Sequence, residues 1–60
     1  MRLQDLFRFI RLEYGPKTAI LIFENSDRDD LIRMKGFTKE FGTEEFAHML
    51  VRACGLAKTH

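Results

Sequence analysis

Six residues constrain the fold of this chain more than any others: Thr18-Ala19-Ile20-Leu21-Ile22-Phe23, its one long uninterrupted apolar run. Turn-forming residues bound the run, Gly15-Pro16 before it and Asn25-Ser26-Asp27 after it. A short apolar run, rich in β-branched and aromatic residues and framed by turn signals, predicts a strand buried on both faces, here over 17–24. The remainder of the chain then has to cover that strand.

On the N-terminal side, Leu3, Leu6, Phe7, Ile10 and Tyr14 recur at helical spacing. The stripe predicts an amphipathic helix over 2–14, ended by Gly15 and barred from continuing by Pro16. Phe9 and Leu12 fall off the stripe, with Arg8 and Arg11 beside them. A Phe and a Leu three positions apart make a contiguous apolar spot, and arginines at its rim suit an interface. Phe9, Leu12, Arg8 and Arg11 are therefore the expected partner-binding residues.

On the C-terminal side, Ile32 and Met34 alternate with Arg33 and Lys35, the pattern of a strand with one wet face. A helix capped by Ser26, with Asp29 three positions on, competes for the same residues. It would leave the first strand without a local partner and its backbone ladder unpaired. The hairpin 17–24/31–37 is the preferred reading. Thr38–Gly42 reads as a connection, with Phe37 and Phe41 tucked under the sheet edge. Thr43 is the expected cap of a second helix over 43–54, with Glu44 and Glu45 in its first turn, where the helix dipole favours anions. Phe46, Met49, Leu50 and Ala53 form its stripe, which Ala47 and Cys54 widen. Gly55 and Leu56 resemble a glycine cap with its hydrophobic contact, and 57–60 reads as a tail. The expected fold is a single α+β domain over 1–60: helix, β-hairpin, helix (αββα).

Sixty residues hide only about 60% of the surface their unfolded chain exposes, so the core is small. One cysteine, Cys54, makes no internal disulfide. A two-stranded sheet is unstable alone and has two free edges. These points predict a homodimer, formed through the hairpin or the first helix. With 45% hydrophobic and 32% charged residues the composition is globular rather than disordered. The net charge of +1 supplies no global field toward nucleic acid. Charge is nonetheless uneven: Arg28 stands against Glu24, Asp27, Asp29 and Asp30 in the acidic stretch that follows the apolar run. No segment is long enough to span a bilayer, and Asp5, Arg8 and Arg11 interrupt any export signal. A lone thiol without such a signal points to a cytoplasmic setting.

Little in the sequence can carry a reaction. Asn25, Asp27 and Asp29 begin like a calcium loop, but Asp30 stands where that loop needs Gly and Gly36 where it needs Glu. His48 and Cys54, six positions apart, lie about 240° apart around a helix. Cys54 near a helix C-terminus is disfavoured as a thiolate and reads as a small core residue. His48 reads as a wet surface residue. Zinc lacks a fourth ligand. The glycines are dispersed, each with a turn or cap role, and form no phosphate loop. No enzyme, cofactor or metal site is expected. Arg33, Lys35 and Phe37, together on the wet strand face, could track a nucleic-acid backbone and stack a base, which is the alternative reading. That reading would make the chain a small dimeric regulator.

An apolar strand ending in Phe23-Glu24-Asn25, an acidic turn, a strand like Ile32-Arg33-Met34-Lys35-Gly36 and a short helix with Ala47, Met49 and Leu50 resemble small temperate-phage and prophage reading frames. The resemblance covers 19–50. It implies a non-enzymatic accessory protein of a phage or mobile element that modulates a host protein in the bacterial cytoplasm, and it carries over no site residues.

Overall fold

The computed structural model describes residues 2–55, and among them the chain forms four α-helices and no strand. They are α1 (Leu3–Tyr14), α2 (Pro16–Glu24), α3 (Arg28–Phe41) and α4 (Thr43–Ala53). The expected α+β hairpin is thus replaced by an all-α fold. Both predicted strands, 17–24 and 31–37, are helical. The predicted tail, 57–60, and Leu56 lie outside the described residues.

The organising run is helical for reasons visible at its ends. Pro16 occupies the first helical position, where its fixed φ suits the helix and its missing N–H costs nothing. At the other end Asn25 Nδ2 donates to the Leu21 carbonyl (2.8 Å), which also accepts from the Asn25 N–H, and Ser26 Oγ donates to the Ile22 carbonyl (2.7 Å), so side chains help satisfy the carbonyls of the last turn. Within the run, Ala19 and Ile22 are buried and Phe23 half-buried, which is helical spacing. Ile20 and Leu21 point outward and are also apolar. A helix that is apolar all round shows no period, and an apolar run alone does not distinguish strand from helix.

The next helix starts one residue later than the competing helix reading had it. Asp27, not Ser26, is the cap: its Oδ1 accepts from Asp30 N–H (2.8 Å), and Asp30 Oδ2 accepts from Asp27 N–H (3.2 Å). The acidic turn is therefore a capping box with its charges at the positive end of a helix. Met34 and Thr38 are buried and Leu31 half-buried, a stripe at helical period. The strand-like alternation was a coincidence of composition, because Ile32 is exposed like Arg33 and Lys35. Thr38 carries the one buried polar side chain among the described residues, and its hydroxyl donates to the Met34 carbonyl (2.6 Å). Gly36 sits inside this helix rather than at a turn.

Gly15 and Gly42 are matching one-residue joints. Each closes one helix and opens the next, with φ 103°, ψ 156° and φ 96°, ψ 152°. That region of backbone space is essentially reserved for glycine. Each donates its N–H backward, to Arg11 and Thr38, and accepts forward, from Ala19 and Phe46. Gly42 rather than Thr43 thus precedes α4, and the predicted connection 38–42 shrinks to one residue.

The core gathers Leu6 and Ile10 of α1, Ala19 and Ile22 of α2, Met34 of α3, and Phe46, Ala47 and Val51 of α4. Fully burying a Leu, Ile or Val side chain contributes about 1.5–3 kcal/mol. The inward face of α4 runs through Ala47 and Val51, so Met49, Ala53 and Cys54, expected on the stripe, are exposed. Contacts among the described residues run mainly from α1 to α2, with α1 also meeting α3 and α4, and α3 meeting α4. No helix of the described residues is long and apolar enough to cross a membrane.

Candidate functional site: an apolar groove between α2, α3 and α4

α2 leans on α1, where Phe7 and Phe23 meet edge-on at 5.2 Å, while α3 pairs with α4. The gap left between α2 and the α3–α4 pair is a groove of about 630 Å³. Leu21 and Ile22 form its α2 wall, Met34 and Phe37 come from α3, and Phe46 and Leu50 from α4. Phe37 is the hinge of an aromatic ledge, 5.6 Å from Phe46 and stacked on Phe41 at 6.0 Å. Both Phe37 and Phe41 are exposed rather than tucked under another element.

The polar residues at the rim are engaged in holding the fold. Asn25 and Ser26 bond the end of α2, and the Ser26 hydroxyl also lies 3.6 Å from Met34 Sδ. Asp30 closes the cap of α3 and lies 3.9 Å from the Arg33 guanidinium. Arg33 and Cys54 are exposed. The groove therefore offers apolar contact area of a size typical of binding sites, with one acid and one base at its edge.

The residues singled out from sequence are distributed differently. Arg8, Arg11 and Leu12 are exposed on α1, Leu12 at 75%. Phe9 does not join them as a free contact. It is half-buried and packs edge-on against His48 at 5.7 Å. His48 in turn is hydrogen-bonded through Nδ1 to the Tyr14 hydroxyl and meets the Tyr14 ring at 5.6 Å. The expected wet histidine thus ties α4 to α1. Arg33, Lys35 and Phe37 no longer form one face. Arg33 and Phe37, one helical turn apart, both line the groove, while Lys35 lies beside Arg2, Leu3 and Gln4. Cys54, expected in the core, lines the groove's end.

Of the groove residues, Phe37 stands out in the sequence as a sheet-edge or base-stacking residue, and Leu21 is hidden inside the organising run. Adjacent outward apolar residues such as Ile20 and Leu21 become a signal only once the run is read as a helix. Compared with protein-family models, with curated proteins and with solved structures, the chain matches none.

Proposed function

We propose that this protein is a non-enzymatic interaction module that docks a protein through the groove between α2, α3 and α4. The observation carrying this reading is Leu21 and Phe37 left exposed on opposite walls of a groove floored by Met34, Phe46 and Leu50. An exposed contiguous apolar surface on a small domain marks an interaction site, and aromatic anchors with an arginine at the rim suit its core. The rim's polar side chains are bonded to the helix ends, which supports recognition rather than chemistry. Leu12 with Arg8 and Arg11 offers a second, smaller contact on α1, while Phe9 is engaged with His48. An accessory role for a phage or mobile element, acting on a host protein, is part of this proposal.

The groove is tested with an environment-sensitive apolar dye, anilinonaphthalene sulfonate, on wild type, Phe37→Asp and Leu12→Asp. Enhanced dye fluorescence on wild type, retained in Leu12→Asp and lost in Phe37→Asp at unchanged far-UV circular dichroism, supports the groove. Equal dye response in wild type and Phe37→Asp overturns it.

A further inference from the structure

We infer that the α4 end of the groove is covered by the chain's own next segment, 56–60, with Leu56 as its anchor, so that a docked partner has to displace it; the inference rests on the docking role proposed for the groove. The reason lies in how α4 ends. Gly55 follows the cap residue Cys54 with φ 76°, and its N–H donates to the Arg52 carbonyl (3.0 Å). A left-handed glycine with that bond is the reversal that closes many helices. Its usual companion is a hydrophobic contact from the residue after the glycine back onto the helix, three or four positions before the cap. Here the residue after the glycine is Leu56, and the two positions are Val51 and Leu50. Val51 is already fully buried in the core. Leu50 is half-buried and lines the groove. The side open to Leu56 is therefore the groove side. Cys54 lines the groove too, so the chain leaves α4 at its edge.

The charges agree with that course. After Leu56 the chain reads Ala57-Lys58-Thr59-His60, a base and a histidine with no acidic side chain. Residues 24–33 carry four acids, Glu24, Asp27, Asp29 and Asp30, against two bases, Arg28 and Arg33. Asp30 lines the same groove as Cys54, and its pairing with Arg33 is loose at 3.9 Å. The basic segment thus leaves α4 at a groove edged by acid. Three residues of backbone carry Lys58 up to about 10 Å from Gly55 before its own side chain extends the reach.

Tethering makes a weak contact effective, because a short linker holds the segment at millimolar effective concentration beside its site. With one apolar anchor the cover is reversible. It hides Leu50 and leaves the mouth between Leu21 and Phe37 for a partner. A partner that needs the whole groove binds only while the segment is away, and its apparent affinity falls by that open fraction.

The experiment titrates Nile red, an uncharged apolar dye, into the full chain, Leu56→Ser and a chain shortened to end at Gly55, with far-UV circular dichroism on each. Both changes are expected to tighten dye binding roughly three- to tenfold, the reciprocal of the open fraction, and added Phe37→Asp to remove the gain. Lys58→Glu should give a smaller gain, about twofold, that vanishes in about 0.5 M salt. In the full chain, nuclear Overhauser contacts are expected from the Leu56 methyls to Leu50 and onward to Met34 or Phe37. Leu56→Ser keeps the test valid if the shortened chain frays at α4. Dye affinity equal in the full chain and Leu56→Ser, with Phe37 still required, overturns the inference and leaves the groove as an open docking site. Leu56 touching Leu50 without any change in dye affinity is a helix cap only and also overturns it. Dye binding indifferent to Phe37 in every variant removes the docking role itself, and the inference with it.

Discussion

α1 and α2 meet at Gly15 and pack on each other, yet they treat water differently. α1 buries Leu6 and Ile10 and turns Gln4, Asp5, Arg8 and Arg11 outward. α2 buries Ala19 and Ile22 but turns Ile20 and Leu21 outward. Apart from Leu12, the apolar residues of α1 are explained by the fold. The outward face of α2 is not: Ile20 and Leu21 remain exposed, and Leu21 borders the groove. The difference separates residues that hold the fold from residues available for a partner.

Leucine substitution sharpens that comparison most. Leu6 is fully buried, whereas Leu12, six residues along the same helix, is 75% exposed. Leu6→Ala leaves a cavity and is expected to cost about 2–5 kcal/mol, enough to unfold most of a domain this small. Leu12→Ala should stay within about 0.5 kcal/mol. Urea titration followed by circular dichroism measures both, at matched protein concentration because self-association raises apparent stability. Similar losses for the two would mean that Leu12 is covered in solution and that the division between the two kinds of apolar residue fails.

The same division explains what the sequence disclosed. α1 and α4 were legible because each alternates a buried stripe with a charged outer face, so composition reports the helical period. α2 was not, because Ile20 and Leu21 fill the positions where polar residues would have marked the turns. α3 was misread for a different reason: Ile32 is exposed, and its chance alternation with charged neighbours imitated a strand. Its capping box was displaced by one residue, Asp27–Asp30 in place of Ser26–Asp29. The groove was legible only as fragments, since it exists because α2 leans toward α1 and away from α3 and α4, a tertiary arrangement that local pattern does not encode.

The joints offer a further test of which features hold the helices at their angles. Gly42 at φ 96°, ψ 152° lies where a side chain is strained, although the space around it is open. Gly42→Ala is expected to destabilise by about 1–3 kcal/mol through the backbone alone. Because this joint sets α4 against α3, the change should also loosen the aromatic ledge of Phe37, Phe41 and Phe46 and reduce dye binding in the groove. Loss of stability without any change at the groove would show that packing, rather than the joint, fixes the α3–α4 angle.

The smallest effect has the opposite sign and comes from the same substitution six residues earlier. Gly36 is helical and exposed, and a Cβ added there meets nothing within 4 Å. In an exposed helix interior glycine is less favourable than alanine by about 0.8–1.0 kcal/mol, because it loses more backbone freedom on folding. Gly36→Ala should therefore stabilise the protein by about 0.5–1 kcal/mol, a rise in Tm of several degrees for a domain this size. The substitution also separates the two architectures at one residue. In the strand expected from sequence, Gly36 would have marked a bulge or the strand's end, and alanine, a poor strand former, would have brought no such gain. A Tm that rises for Gly36→Ala and falls for Gly42→Ala places one glycine inside a helix and the other between two.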